Sequence, residues 1–313
     1  MDRGEIFAAA ARIAGQVVHT PLIEASLAGR RIWLNCECLQ TGGAFKLRGA
    51  SNRLLQLNAD ERKRGVVAFS SGNHAQGVAI AASRLGIPAT IVMPNDAPQI
   101  KVDGTRANGA EIIFYDRVTE DRVKIAAALA AERGATVVPA FDDRHVVAGQ
   151  GTVGLEILAQ LAEAGAPEPP LIAMPVGGGG LAAGITLACP DARIIGAEPE
   201  GWDDMARSLA SGTIESVGPD APQTMCDALQ TLRGSPITFA ILQERQAQII
   251  AVSDDQVAEA VRWAWTEHQL MVEPGGAAAL ALFIAGKALV KEDMVVVLSG
   301  GNIDPVLHAQ LVG

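Results

Sequence analysis

The sequence is short of aromatic residues and of positive charge, and both shortages exclude classes of protein. Only 4% of the 313 residues are aromatic, and 25 basic residues against 35 acidic ones give a formal net charge of −10. An acidic chain does not suit a protein that tracks nucleic-acid phosphates or binds an anionic lipid surface. The longest apolar run, Ala277–Ala285, falls well short of the roughly 20 residues that a membrane span requires. We therefore expect neither a nucleic-acid partner nor a membrane span.

Cysteine is also scarce, and the four that occur are too scattered for a disulfide scaffold: Cys36, Cys38, Cys189 and Cys226. The Cys36-x-Cys38 pair has no second Cys/His pair at zinc spacing, so we interpret these residues as buried thiols in or beside a strand. The N-terminal stretch carries acidic residues and an amphipathic pattern, which is not typical of a signal peptide. The sequence therefore predicts a cytoplasmic protein.

Short β-branched runs alternate with helical patterns along most of the chain. The runs predicted to be strands are Val66–Phe69, Thr90–Met93, Glu111–Tyr115, Thr136–Val138, Leu171–Val176, Arg193–Ala197, Ala247–Val252 and Met294–Leu298. The predicted helices between them include His74–Leu85, Thr119–Arg133, Gly151–Ala164 and Asp254–Glu267. Apolar strands separated by helices indicate mostly parallel sheets covered on both faces. The sequence predicts an α/β protein.

Four connections are rich in small residues and are candidates for a binding site. They are TGGAFK at 41–46, SSGNHAQG at 70–77, PVGGGGLAAG at 175–184 and LSGGNID at 298–304. Ligands of open α/β sheets bind at the carboxyl ends of strands, where helix N-termini offer free N–H groups. We therefore predict that the four loops converge on one cleft.

The glycine run Gly177–Gly180 lies between a predicted strand and an apolar helical pattern. Successive glycines allow backbone N–H groups to surround a dianion, although a flexible turn would use the same residues. The run matches neither the P-loop nor the dinucleotide-binding pattern. It predicts a phosphate that does not belong to a nucleotide.

Lys46 stands among small and apolar residues at the start of a predicted helix. Loss of hydration there would lower the pKa of its amine and make it a nucleophile or a base. Taken alone, a single lysine is more often a surface residue. The motifs around it favour the chemical interpretation.

Together these motifs resemble the serine/threonine dehydratase and serine racemase family, pyridoxal-phosphate (PLP) enzymes of the second fold type. The matching segments are GAFKLRGA at 43–50, SSGNHAQG at 70–77, Gly177–Gly180 and LSGGN at 298–302, all in family order. The resemblance implies two domains with open, mostly parallel, twisted sheets flanked by helices. Residues 1–55 and 144–313 would form a large cofactor-binding domain, and residues 56–143 a small inserted domain that closes over the substrate.

The resemblance also implies a cofactor role for particular residues. Lys46 would hold PLP as a Schiff base and remove the substrate's α-proton. Phe45 would pack on the ring and Asn73 would bind its 3-hydroxyl. Gly177–Gly180 would hold the phosphate, and Ser299 would meet the pyridine nitrogen.

The same resemblance places the substrate carboxylate on the loop made of Ser70, Ser71, Gly72, Asn73 and His74. Ser71 would in addition face Lys46 across the substrate, an arrangement that permits racemisation. On residues alone, the loop is equally typical of a helix capped by Ser71 or Asn73. The simpler interpretation of His74 is a packing residue.

A metal site is implied by similarity at Glu198 and Asp204, completed by a carbonyl near Trp202. Such oxygen ligands suit Mg²⁺ or Ca²⁺. The alternative is a solvated acidic turn in which Asp203 caps the next helix.

The implied reaction is β-elimination from an amino acid such as L-threonine or L-serine, which gives a 2-oxo acid and ammonia. The alternatives are a serine racemase and a hydroxyaspartate dehydratase, and Arg122 falls where some relatives hold a second carboxylate. Without that match, Arg122 is a surface arginine. The resemblance also implies a homodimer, and it predicts no C-terminal regulatory domain. A catalytically inactive scaffold would be expected to lack Lys46.

Overall fold

A computed structural model describes all 313 residues and contains a mixed α/β arrangement with two sheets. The strands are β1 (Leu22–Leu27), β2 (Arg30–Asn35), β3 (Val66–Phe69), β4 (Ala89–Pro94), β5 (Glu111–Tyr115), β6 (Thr136–Val137), β7 (Leu171–Pro175), β8 (Arg193–Pro199), β9 (Gln248–Val252) and β10 (Met294–Val297). The helices are α1 (Arg3–Ile13), α2 (Lys46–Leu55), α3 (Ala59–Arg64), α4 (Asn73–Leu85), α5 (Gln99–Ala107), α6 (Arg122–Arg133), α7 (Arg144–Glu163), α8 (Gly180–Ala188), α9 (Asp204–Ser211), α10 (Pro236–Glu244), α11 (Asp254–His268), α12 (Pro274–Ile284) and α13 (Pro305–Val312). Two short 3₁₀ helices, Glu37–Leu39 and Asp227–Leu229, complete the regular structure.

The larger sheet has six strands in the order β1-β2-β10-β7-β8-β9. Only β1 runs antiparallel to its neighbour, while the other pairs are parallel. Alternate residues of β10 enter two different apolar clusters, Met294 and Val296 in one and Val295 and Val297 in the other. The sheet is therefore covered on both faces, as continuous apolar strands predict.

The smaller sheet has four parallel strands in the order β5-β4-β3-β6. It too is covered on both faces, since Ala68 and Val67 of β3 enter different apolar clusters. The first of these clusters contains residues of α2 and α4, and the second contains residues of α6. The predicted α/β class with mostly parallel sheets is confirmed.

All eight predicted strands occur, with ends that differ by no more than two residues from the predicted ones. The four cysteines are free and buried, as predicted. The β1–β2 hairpin was not among the predicted elements. No helix in the structure combines the length and the apolar character needed to cross a bilayer.

Candidate active site

The four small-residue loops line one cleft of about 890 Å³, a volume that includes its open mouth. Lys46, Ser70–His74, Gly177–Gly180 and Ser299 all lie on its wall. Three of these segments directly follow strands β3, β7 and β10. The predicted convergence on one cleft is therefore confirmed.

Lys46 is the first residue of α2 and is half-buried in this cleft. Its Nζ donates one hydrogen bond to the carbonyl of Ala140, at 3.2 Å, and lies 5.1 Å from the centre of the Phe45 ring. No carboxylate pairs with it within the chain. Burial lowers the pKa of Lys46 to about 8, so part of the population carries a neutral, nucleophilic amine near neutral pH.

The loop before Lys46 is joined directly to the loop after β10. The Phe45 N–H donates to the Ser299 carbonyl at 3.2 Å, and the Gly301 N–H donates to the Gly43 carbonyl at 2.8 Å. Gly43 has a φ of +72°, and a Cβ at this position would overlap the Asn302 amide. Glycine is required there for both conformation and space, and the joined loops fix Lys46 relative to Ser299.

A buried arginine anchors the helix that carries Lys46. Arg48 is fully buried, and its guanidinium forms ion pairs with Glu37 at 2.7 Å and with Glu156 at 2.6 Å. It also donates to the Thr152 hydroxyl at 3.2 Å. These contacts tie the first turn of α2 to the 3₁₀ helix at Glu37–Leu39 and to α7, which limits the movement of Lys46.

The glycine run forms a cradle of unpaired backbone N–H groups at the start of α8. None of the four backbone N–H groups of Gly177–Gly180 donates a hydrogen bond within the chain. Gly179 has a φ of +83°, and a Cβ on Gly178 would overlap the Phe141 ring. Unpaired N–H groups at a helix N-terminus bind phosphate well, because the helix dipole adds to their attraction.

The loop after β3 offers a second set of unpaired donors. Helix α4 has Gly72 as its N-cap, and no side chain caps it, so the alternative of a cap by Ser71 or Asn73 is wrong. The Ser70 hydroxyl instead accepts from the Gly72 N–H at 3.1 Å. The N–H groups of Asn73, His74 and Ala75 donate to no group of the chain. This helix N-terminus therefore suits a carboxylate.

Asn73 is held from both ends of its amide. Its Oδ1 accepts from Asn302 Nδ2 at 2.9 Å, and its Nδ2 donates to Glu273 Oε1. Asn302 Nδ2 also donates to the Gly42 carbonyl at 2.8 Å. These partners fix which end of the Asn73 amide is the donor, and one N–H of that donor remains for a group in the cleft.

His74 is buried, and its Nε2 lies 2.9 Å from the Val138 carbonyl. Burial, together with the positive charge of Lys46, lowers the pKa of His74 to about 3. The ring is therefore neutral at physiological pH and donates from Nε2, as expected of a packing histidine.

Ser299 and Arg122 lie on the wall of the cleft. The Ser299 side chain is buried, and its hydroxyl makes no hydrogen bond within the chain. Arg122 begins α6, which Asp121 caps by accepting from Val123 at 2.9 Å. Its guanidinium lies 5.8 Å from the centre of the Phe69 ring and forms no ion pair. Arg122 thus presents an unpaired cation to the cleft.

Three charged residues near the cleft were absent from the sequence prediction. Lys101 of α5 is buried and forms ion pairs with Asp227 at 2.6 Å and with Glu273 at 2.9 Å. Asp227 and Glu273 line the cleft. No motif surrounds these residues, and only their positions in the folded chain bring them together.

The predicted metal ligands Glu198 and Asp204 lie at the end of β8 and the start of α9. Glu198 accepts from the N–H groups of Met205 at 3.1 Å and Ala206 at 2.9 Å. It therefore caps α9, whereas the alternative cap, Asp203, makes no such bond. Burial raises the pKa of Glu198 and raises that of Asp204 to about 7.

Neither carboxylate oxygen of Asp204 has a hydrogen bond of normal geometry. Trp202 donates its indole N–H to the Pro222 carbonyl at 2.8 Å and could offer a site only its backbone oxygen. The structure contains no group of three Asp, Glu, His or Cys side chains arranged to hold a metal ion. A cation at this position would depend on two carboxylates, backbone carbonyls and water.

The chain is similar to known pyridoxal-phosphate-dependent enzymes. A family model described as "Pyridoxal-phosphate dependent enzyme" matches residues 13–300. The chain is 40% identical to L-threo-3-hydroxyaspartate ammonia-lyase of Pseudomonas sp, over 98% of this chain and 97% of that protein. It is 37% identical to serine racemase of Schizosaccharomyces pombe, over 98% of this chain and 96% of that protein.

A solved structure shares the fold over nearly its whole length. The crystal structure of a threonine deaminase from T.th. superimposes with a TM-score of 0.90 and 41% identity, over 97% of this chain and 99% of that one. The predicted fold type is therefore confirmed. The chain is a member of the pyridoxal-phosphate-dependent enzyme family, within the group of the ammonia-lyases and serine racemases.

Proposed function

We propose that this chain is an ammonia-lyase that removes the β-hydroxyl from a β-hydroxy-α-amino acid and yields a 2-oxo acid and ammonia. The observation that carries the proposal is the position of Lys46. Its amine has a lowered pKa and shares one cleft with the unpaired N–H groups at the starts of α8 and α4. One set of donors suits a phosphate and the other suits a substrate carboxylate.

The residues of the cleft fit PLP. The unpaired N–H groups of Gly177–Gly180 would take the phosphate, and the unpaired hydroxyl of Ser299 would meet the ring nitrogen. Asn73 would donate its remaining N–H to the 3-hydroxyl, and Phe45 would pack on the ring. When bound, PLP supplies the electron sink that stabilises negative charge on the substrate Cα.

The chain's own residues then position the substrate and move the proton. The donors of Ser70–His74 hold the substrate carboxylate, which fixes the direction of the Cα–H bond. The Lys46 amine removes this proton, because its lowered pKa leaves a neutral fraction at physiological pH. The β-hydroxyl takes up a proton and leaves as water, which gives an enamine. This enamine tautomerises to an imine, and one water hydrolyses the imine to the 2-oxo acid and ammonia.

Arg122 favours one class of substrate within this reaction. It is the one cationic side chain on the wall of the cleft besides Lys46 and has no carboxylate partner in the chain. A second carboxylate on the substrate β-carbon would provide that partner. We therefore favour L-threo-3-hydroxyaspartate over L-serine and L-threonine, in agreement with the activity named for the Pseudomonas relative.

A serine racemase is the second candidate, and the presence of Ser71 on the cleft wall favours it. A hydroxyl facing Lys46 across the substrate would return a proton to the opposite face of Cα. Elimination and racemisation share the first proton transfer, so one residue alone does not separate them.

A substrate panel tests these alternatives. L-serine, L-threonine and L-threo-3-hydroxyaspartate are each incubated with the PLP-loaded enzyme, and 2-oxo acid, ammonia and D-serine are measured. We expect equal amounts of 2-oxo acid and ammonia, with the highest kcat/KM for hydroxyaspartate. A faster formation of D-serine would make the chain a racemase, and no turnover of any of the three would refute both candidates.

We also propose that Glu198, Asp204 and the carbonyl oxygen of Trp202 bind Mg²⁺ or Ca²⁺ in a structural or activating role. The support is the buried Asp204 carboxylate, which has no hydrogen bond of normal geometry and lies beside a second buried carboxylate. Hard oxygen ligands of this kind suit either cation.

Metal binding would stabilise the folded state, because the unfolded chain lacks the site. We expect millimolar MgCl₂ or CaCl₂ to raise Tm by several degrees in the wild-type protein and to leave Tm unchanged in Asp204→Asn. Thermal unfolding followed by circular dichroism measures both. Equal shifts in the two proteins would rule out this site.

The proposal also includes a domain closure, a cellular location and an oligomeric state. We infer that residues 56–143, which contain the whole four-stranded sheet, form a small domain that closes over the cleft. A cytoplasmic location and a homodimer are also predicted. The exposed apolar residues Leu39, Met271, Trp265 and Val306 would suit a dimer interface, and light scattering tests for twice the chain mass of 32.5 kDa.

A further inference from the structure

The buried Lys101 joins the layers on either side of the cleft. Lys101 belongs to α5, which packs on α4 and on β5 of the smaller sheet. Its ammonium binds Asp227 of the second 3₁₀ helix and Glu273, the residue before α12. Helix α12 packs against strands of the larger sheet and against the 3₁₀ helix. One cation therefore connects the two sheet layers at the rim of the site.

The side chain of Lys101 also supports the loop after β3. A Cβ on Gly72 would overlap the Lys101 Cδ. No Cβ would fit beside this stem, so glycine is needed at position 72 for space. The loop that offers its N–H groups to a carboxylate therefore rests on the aliphatic part of Lys101.

Lys101 is linked to Asn73 through Glu273. One oxygen of the Glu273 carboxylate pairs with Lys101, and the other accepts from the Asn73 amide. Asn73 in turn accepts from Asn302. The orientation of the Asn73 amide thus depends in part on a carboxylate that Lys101 holds in place.

The charges explain why this lysine stays ionised in a buried position. Only 1% of its side chain is exposed. Burial by itself would lower the pKa of Lys101, but the Glu273 and Asp227 carboxylates raise it overall. Without the ammonium, two carboxylates would face each other with no compensating charge, and like charges in a buried site repel strongly. Both carboxylates lie on the same layer, so only the water that enters when the layers separate would weaken this repulsion.

We propose that Lys101 is a positioning residue that latches the two layers together when a substrate carboxylate occupies Ser70–His74. Its aliphatic stem lies against Gly72 in the loop that would bind the carboxylate. Its ammonium binds Asp227 and Glu273 on the opposite side of the cleft. Substrate affinity is then coupled to closure, and the chemistry at Lys46 is affected only indirectly. The proposal rests on the proposed function for the identity of the ligand.

The test compares Lys101→Met, which keeps the stem under Gly72 but removes the charge, with Lys124→Met. Lys124 lies on α6 with 85% of its side chain exposed, so its replacement is the matched control. We expect Lys101→Met to raise KM about tenfold or more, a typical coupling between linked sites, while kcat changes little. Because Asn302 still donates to the Asn73 amide oxygen, the visible absorbance of bound PLP should stay close to that of the wild type.

Hydrogen exchange gives a readout that does not require turnover. Glycine, an amino acid without a β-leaving group, is added to the PLP-loaded proteins, and exchange is followed in residues 70–77 and 99–107. We expect glycine to slow exchange in the wild type and in Lys124→Met, and not in Lys101→Met. Equal protection and an unchanged KM in Lys101→Met would overturn the latch.

A second variant decides the case in which Lys101→Met does not fold. Asp227→Asn keeps the Lys101–Glu273 pair and removes one of its two links, so a smaller rise in KM and a partial loss of protection are expected. Wild-type behaviour of this variant would then refute the proposal. A wild-type protein that neither binds PLP nor turns over any substrate would instead refute the proposed function, which is a separate outcome.

Discussion

Replacement of Lys46 by alanine is expected to remove the visible absorbance of covalently held PLP and nearly all turnover. In the proposed mechanism this variant lacks both the amine that would hold the cofactor and the base that would take the α-proton. General-base catalysis alone contributes about 10²–10⁴-fold, so we expect kcat to fall by about 10³-fold or more. Absorbance spectroscopy and a 2-oxo acid assay measure the two effects.

An exposed lysine provides the control for this experiment. Lys63 on α3 has 80% of its side chain exposed and pairs only with Asp60 at 3.9 Å. Lys63→Ala should match the wild type in both assays. Thermal unfolding of Lys46→Ala should remain cooperative, since Arg48 and its two carboxylate partners still anchor α2. Retention of both absorbance and turnover in Lys46→Ala would remove the basis of the proposed mechanism.

The second large effect is expected at Arg122, as a change of specificity rather than a general loss. Hydrogen bonds to charged groups contribute about 1.5–3 kcal/mol. Arg122→Ala should therefore lower kcat/KM for L-threo-3-hydroxyaspartate by about 10–150-fold. The kcat/KM for L-serine, which has no second carboxylate, should change by no more than about threefold.

Arg122→Lys separates charge from geometry at the same position. Lysine keeps the positive charge but cannot form the paired hydrogen bonds that a guanidinium makes with a carboxylate. An intermediate loss of kcat/KM for hydroxyaspartate is expected. Equal losses of kcat/KM for hydroxyaspartate and L-serine in Arg122→Ala would show that Arg122 supports the structure of the cleft and does not bind the substrate's second carboxylate.

Sequence patterns locate well the strands that are buried and apolar along their whole length. Strands β7 and β10 are buried at every residue, and their apolar runs are visible without any structural information. The β1–β2 hairpin carries a weaker signal, since only one residue of β1 is buried and β2 begins with Arg30 and Arg31. Its two-residue turn, Ala28 with a φ of +51° and Gly29 with a φ of +72°, has the positive φ values of a type I′ turn, but Ala-Gly is not one of the residue pairs that usually indicate that turn.

Within the site, sequence motifs located the groups that share one loop and missed those that meet only through the fold. Gly177–Gly180 and Ser70–His74 are continuous segments, so their positions followed from single loops. Lys101 and Glu273 are 172 positions apart in the numbering, and neither has an informative neighbour. The cap of α4 illustrates the same limit. A Ser-Ser-Gly-Asn string is compatible with several N-caps, and the structure leaves the first N–H groups unpaired.

The most direct measurement is chemical trapping of the covalent bond between the cofactor and the protein. The PLP-loaded enzyme is reduced with borohydride and digested, and the peptides are analysed by mass spectrometry. The mechanism predicts a single pyridoxyl group, carried by the peptide that contains Lys46 and located on that residue by fragmentation. A label on another lysine, or no label in a protein that still turns over its substrate, would contradict it.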